Sequence, residues 1–258
     1  AHQGGRVAID GGEGASTHTD NGGNGGNVVV AGGAAAGTHP GDQGGNVELT
    51  GGSAYAGQGG NARLTSGAST LASTGSLFLE TADAGMAGVS GGVVLQTGTS
   101  SSGDTGTISL HTGQATSGAA GHISVAVGQG DSGDGGHVEI IAGQTNDVDP
   151  ARGGYVLVQT GHSQSSSSGK LALLTANAGM EGTSGQIVLA SGTTSAGNSG
   201  AIHVNTGDAF KGHGGDIKVR VGSGDTGPGG DVVFAAGQST QIGGVGGSVV
   251  VVGGEGSS

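Results

Sequence analysis

The sequence predicts an all-β fold, a parallel β-solenoid (β-helix) with about sixteen short, flattened turns of basic period 15. Three observations favour this fold. Apolar residues alternate with other residues over short segments, which is the period of a β-strand. The segments recur at a nearly fixed interval, as in proteins built from stacked repeats. Glycine, at 65 of 258 residues, fills the stretches between the segments.

Each repeat unit has the same order of residue types. A pair of glycines or small residues and one variable residue precede an apolar residue, and a second apolar residue follows two places later, as in residues 44–51 and 214–222. The first apolar residue, here called the first position, recurs after 15 to 21 residues and most often after 15. The sixteen first positions are Val7, Val28, Val47, Ala62, Leu77, Val93, Ile108, Ile123, Val138, Val156, Leu171, Ile187, Ile202, Ile217, Val232 and Val249.

A segment of about six residues and a glycine-rich return of about nine cannot bury an apolar face alone, whereas stacked units can. Successive turns would lie about 4.8 Å apart, and sixteen of them would give a rod on the order of 75 Å. The glycines would provide the tight corners, and residues 1–258 would form a single solenoid domain. The residues expected in the narrow core include Ile123, Val125, Val138, Ile140, Ile217 and Val219.

Equivalent side chains in successive turns would form rows, in which amides hydrogen-bond along the axis. One predicted row lies just before the segments and consists of Asn27, Asn46 and Asn61. A second lies just after them and consists of Gln114, Gln129 and Gln144.

Longer units are expected to place their extra residues in the returns. Pro40 and Pro150 lie in two such units, of 19 and 18 residues. A longer period overlies the first, because the residues around Met86 recur around Met180 at an offset of 94. Six units therefore make a higher-order repeat.

Composition excludes several classes of function. With 7 Lys and Arg against 19 Asp and Glu, the chain offers no basic surface for nucleic acid. The longest apolar run, residues 249–252, is too short for membrane insertion, and the lack of Cys excludes disulfides. Leu, Ile, Val and Phe make up only 49 of 258 residues, and with a net charge of -12 this composition alone predicts disorder. The regular spacing is what favours a fold.

Sequence motifs do not point to catalysis. The chain has no phosphate-binding Gly-x-x-x-x-Gly-Lys-Ser/Thr motif and no recognisable Ser/His/Asp constellation, so we expect no enzymatic activity and no cofactor. Asp216 and Asp231 would stack about 5 Å apart and could hold adventitious calcium, although a solvated pair is the simpler interpretation. An exposed imidazole row is likewise a simpler interpretation than a zinc site for the group His111, His122, His137 and Glu139.

Residues 26–32 and 230–237 resemble the glycine-rich repeats of extracellular β-solenoid proteins. These include filamentous-haemagglutinin-like adhesins and glycine-rich repeat proteins of algae and their viruses. The pattern covers the whole chain, although the 15-residue turn is shorter than the turns typical of those adhesins. The resemblance implies a secreted or surface-exposed fibre and implies no active site. A first residue of Ala1 fits a removed leader or an excerpt of a longer polypeptide.

We therefore expect a structural subunit or segment of an extracellular fibre or surface appendage, whose copies assemble head to tail through uncapped end turns. Counting from Val249 through the end of one copy to Val7 of the next gives a spacing of 16, within the range of one turn. The predicted end-to-end interface comprises Val7, Ile9, Val249 and Val251.

Two binding functions remain as alternatives, an ice-binding solenoid and an adhesin. Ice binding needs flat Thr-x-Thr rows, whereas the outward pairs here vary, as at Ser109 with His111 and Lys218 with Arg220.

The chain has no Asn-x-Ser/Thr sequon, but hydroxyls crowd the returns, notably at residues 165–168. If the fibre is glycosylated, we therefore expect O-linked glycans on the returns and none on Asn.

Overall fold

A computed structural model describes residues 4–18, 22–147, 149 and 151–256. Over these residues the chain forms neither a helix nor a strand, and its regular features are isolated bends and turns. The prediction of an all-β parallel solenoid with about sixteen stacked turns is therefore wrong.

Main-chain hydrogen bonding shows where the prediction fails. The described residues form twelve main-chain hydrogen bonds, which join residues 2 to 14 apart. A folded chain of this length would have on the order of 170, since about two-thirds of roughly one bond per residue are between main-chain groups. A solenoid needs bonds between residues one period apart, and none of the twelve spans the period of 15. The ladder that would hold one turn on the next is therefore absent from the described residues.

The surface area leads to the same conclusion. The chain exposes 26002 Å². A folded monomer of 23.9 kDa would expose about 9,900 Å² and its extended chain about 35,000 Å². None of the described hydrophobic side chains is buried. The residues predicted for the core are exposed to between 54 and 75%, namely Ile123, Val125, Val138, Ile140, Ile217 and Val219.

The composition explains why this core does not form. Ordering a residue costs about 1–2 kcal/mol of backbone entropy, and glycine loses the most freedom. A unit of about fifteen residues offers two or three large apolar side chains, each of which would contribute about 1.5–3 kcal/mol if fully buried. Few large apolar side chains per unit are therefore set against the entropy of ordering a glycine-rich chain, and regular spacing does not change that balance.

The repeat is nevertheless visible in local contacts. Two residues of each repeat lie against each other. One is the residue four places after a first position, and the other is the glycine two places before the next first position. A β-carbon added to a glycine of this pair would lie within 4 Å of the other residue. We call this contact a neck, and the chain between its two residues a loop. The fifteen necks are Gly11 with Gly26, Gly32 with Gly45, Gly51 with Gly60, Ser66 with Gly75, Thr81 with Gly91, Thr97 with Gly106, Thr112 with Gly121, Val127 with Gly136, Ala142 with Gly154, Thr160 with Gly169, Thr175 with Gly185, Ser191 with Gly200, Thr206 with Gly215, Val221 with Gly230 and Ala236 with Gly247.

Seven loops are closed by a main-chain hydrogen bond beside the neck. The neck glycine donates its N–H to the carbonyl oxygen of the residue after the opposite neck residue, as from Gly45 to Gly33 at 2.8 Å and from Gly60 to Gly52 at 2.7 Å. These bonds close over 8 to 14 residues, so extra residues enlarge the loop and leave the closing bond unchanged. Pro40 lies in a turn within one enlarged loop, whereas Pro150 lies outside the described residues.

The longer period of 94 residues also appears in the structure. Val127 and Val221 occupy equivalent necks, and a β-carbon on the facing glycine would lie 2.8 and 2.9 Å from their respective Cγ1 atoms. Gly133 and Gly227, at equivalent places in these two loops, have φ values of 73° and 74°. Such values favour glycine, because other residues are strained there.

The chain divides into two units, Ala1–Ala126 and Val127–Ser258. Seven necks lie in the first and eight in the second. The expectation of a single domain over residues 1–258 stays a prediction.

Candidate self-association surface

The exposure of the apolar side chains follows the repeat. Large first-position side chains from Val28 to Val249 are 48 to 59% exposed. At the second position, two residues further along, the exposed fraction is 62 to 75% from Ile9 to Phe234. Each unit therefore presents a half-covered apolar residue beside a more exposed one.

Both positions lie beside necks and outside the loops. A first position is two residues after a neck glycine, and a second position is two residues before the next neck residue. At the neck of Gly51 and Gly60 this arrangement produces an open cavity of about 310 Å³. Its lining consists of Leu49, Thr50, Gly51, Asn61, Ala62, Arg63 and Leu64.

The residues predicted for the end-to-end interface are exposed. Val7 is 86% exposed, unlike the other large first-position residues, and Val251 is 93% exposed, unlike the other second-position residues. Ile9 is 74% exposed and Val249 57%. The predicted joint also includes residues 1–3 and 257–258, which lie outside the described residues. The four predicted interface residues are thus available for contact.

Alternation of apolar residues does not predict a third set of exposed apolar side chains. The residue directly after the first position, here called the outward position, is a large apolar residue in seven units and 68 to 83% exposed in each. Its signal was present in the sequence as runs of three apolar residues. The seven residues are Val29, Phe78, Val94, Leu157, Val188, Val233 and Val250.

The residues of the predicted amide rows lie beside the necks. Asn27, Asn46 and Asn61 each directly follow a neck glycine, at necks where both residues are glycine. In the second predicted row, each glutamine lies two residues after a neck residue, inside a loop. Among the hydrogen bonds of the described residues, none joins two of these amides. The second row comprises Gln114, Gln129 and Gln144.

The candidate metal ligands are not brought together. The Asp216 carboxylate accepts a hydrogen bond from the Lys218 ammonium group at 2.6 Å, in an exposed ion pair. His111 Nδ1 lies 3.3 Å from the Ser109 hydroxyl. Among the described residues, groups of three or more His, Asp or Glu side chains able to hold a metal ion are absent.

Within residues 4–256, the described stretches contain no helix of the length and apolarity required to cross a bilayer. No protein-family model, curated protein or solved structure matches the chain.

Proposed function

We propose that this chain is a structural, non-enzymatic repeat protein, a subunit or segment of an extracellular fibre or surface appendage whose copies associate head to tail. The observation that carries the proposal is the exposure of the repeated apolar residues. None of the described hydrophobic side chains is buried, and Val7 and Val251 of the predicted end-to-end interface are 86 and 93% exposed. An apolar side chain that its own chain leaves uncovered is a candidate for contact with another chain.

The energetics favour association. Each apolar Å² removed from water contributes about 25 cal/mol, and the apolar residues of the two end segments stay exposed in a single copy. Contact between the last segment of one copy and the first segment of the next would continue the repeat spacing. A second copy of the chain therefore meets the requirement without a further protein.

The electrostatics argue against the common alternative partners. Nucleic acids and anionic membranes attract basic surfaces, whereas this chain has a net charge of -12. An extracellular location is part of the proposal and is supported by the resemblance of residues 26–32 and 230–237 to secreted glycine-rich repeats. The long-range repulsion between copies must be overcome by contacts at short range.

The proposal is tested by sedimentation velocity over a range of protein concentrations, with electron microscopy of the largest species. The wild-type chain should form assemblies that lengthen with concentration. The double variant Val7→Lys, Ile9→Lys should shorten them, because Lys places a hydrated charge in an apolar contact.

The matched control is Val138→Lys, Ile140→Lys, which makes the same two changes at the same two positions of an internal unit. It should assemble like wild type. A wild-type chain that stays monomeric at millimolar concentration would contradict the proposal. If both double variants shorten the assemblies equally, the end segment has no special role in assembly.

A further inference from the structure

Residues 232–254 form a stretch without Asp, Glu, Lys, Arg or His. The stretch holds two complete apolar segments, which are joined by the loop of the neck between Ala236 and Gly247. The rest of the chain carries the whole net charge of -12. Residues 84–103 and 182–202 also lack these residue types, but each of those stretches holds one complete apolar segment. Two copies repel each other least where uncharged stretches meet, and residues 232–254 bring two segments to such a contact.

The structure leaves both segments uncovered. Val233 and Phe234 are 78 and 74% exposed, and Val250 and Val252 are 74 and 83% exposed. Each segment has apolar residues at its first, outward and second positions. We call residues 232–234 and 249–252 the charge-free patch.

The main chain of the patch is also available. The loop is closed by a hydrogen bond from the Gly247 N–H to the Gly237 carbonyl oxygen at 2.9 Å. Residues 232–236 and 248–252, all of them described, take no part in main-chain hydrogen bonds. The closed loop thus holds two apolar segments with free donors and acceptors near each other at one neck.

We propose that the charge-free patch binds the same patch on a second copy of this chain, pairing two copies side by side. Segments rich in β-branched residues and free of charge and Pro have the composition that favours intermolecular strand pairing. Four other segments carry a charge at the outward position, which opposes such pairing, namely at Glu48, Arg63, Glu139 and Lys218. Segments 28–30, 93–95 and 187–189 are also apolar at all three positions, but each is the only complete segment in its uncharged stretch. Contact between identical patches is self-complementary and closes as a pair.

This inference deepens the proposed function, since it names the stretch at which two copies first meet. It is compatible with head-to-tail contact, because a paired segment has two main-chain edges. Pairing along one edge of residues 249–252 leaves the other edge for the end of a neighbouring copy. The result would be fibres joined laterally once per copy.

The test compares two double variants by sedimentation equilibrium. Val233→Lys, Val250→Lys should weaken pairing at least about tenfold, because like charges would then face each other across the contact. The control Val94→Lys, Val188→Lys changes the same residue type at the same position of two other units, where exposure is 77 and 68%. It adds the same charge and should pair within about twofold of wild type, as expected for sites outside the contact.

Three results would overturn the inference. Pairing retained in Val233→Lys, Val250→Lys would exclude the patch, and equal loss in the control would show that apolar content in general drives association. Loss of pairing in Val7→Lys, Ile9→Lys would assign the contact to the end segment. If Val7→Lys, Ile9→Lys still pairs but no longer forms long assemblies, the result would support both the patch and a separate head-to-tail contact. If the wild-type chain pairs but forms no long assemblies, the result would support the patch alone.

A cross-linking experiment tests whether the same patch on both copies forms the contact. The chain has no Cys, so Val250→Cys introduces a single thiol. Under mild oxidation this variant should form a disulfide-linked dimer faster than the matched variant Val94→Cys, because a disulfide requires Cβ atoms about 3.5–4.5 Å apart. Equal rates for the two variants would contradict contact between identical patches.

Discussion

Gly60 donates its main-chain N–H to the carbonyl oxygen of Gly52 at 2.7 Å and thereby closes a loop of eight residues. A β-carbon on Gly60 would lie 3.0 Å from the nitrogen of Gly52, which is closer than ordinary contact allows. The close approach therefore favours glycine at this place. The sequence has glycine two residues before the first position in all sixteen units.

Substitution of a neck glycine should open its loop. Gly60→Val should break the bond to Gly52, at a cost of about 0.5–1.5 kcal/mol for one main-chain hydrogen bond. The temperature coefficient of the amide proton at position 60 should then match that of a solvated amide. Gly57→Val is the control, since a β-carbon there meets nothing within 4 Å in the same loop. A loop that opens equally in both variants would show that the close approach at the neck has no role.

Ile217→Asp should have little effect on an isolated chain. Ile217 is 55% exposed, so the carboxylate would reach water and the cost should stay below about 0.5 kcal/mol. The circular dichroism spectrum and hydrodynamic radius should match those of Ser109→Asp, which adds the same charge at another exposed residue. A cooperative thermal transition in wild type that Ile217→Asp abolishes would instead indicate a buried core.

Association should strengthen as salt is added. Copies with a net charge of -12 repel each other, and the screening length falls from about 30 Å at 0.01 M to about 3 Å at 1 M ionic strength. Lowering the pH towards the isoelectric point of about 4.8 should act in the same direction, because the negative charge is progressively neutralised. Static light scattering measures both trends. Weaker association at higher salt would mean that attraction between opposite charges drives it.

Glycans, if the native protein carries them, should be attached to hydroxyls and not to asparagine. The chain lacks Asn-x-Ser/Thr sequons, and residues 165–168 are four consecutive exposed serines. Intact mass spectrometry of native material should show species above the 23.9 kDa of the bare chain, and peptide mapping should place the added mass on Ser or Thr. A native mass equal to that of the bare chain would exclude the modification.

The position of each unit could be predicted from the sequence, but its packing could not. The glycine pattern that marks Gly45 and Gly60 requires only local backbone geometry, and both glycines lie at necks. Burial of Ile123 or Ile217 would require neighbouring units to supply enough apolar area to offset backbone entropy, and alternation carries no information on that balance. Conversely, the sequence shows that the outward residues Val233 and Val250 are apolar, but only the structure shows that they are exposed to contact with another chain.

The local closure of the necks has a consequence for the time course of structure formation. Every neck joins residues 9 to 15 apart in the chain, and a ten-residue loop closes in about 10–100 ns. A loop that has opened can therefore close again within about that time, without waiting for a distant part of the chain. Opening of one neck contact leaves the other necks closed. A change in the number of repeat units in the chain would therefore leave the closure rates of the remaining loops unchanged.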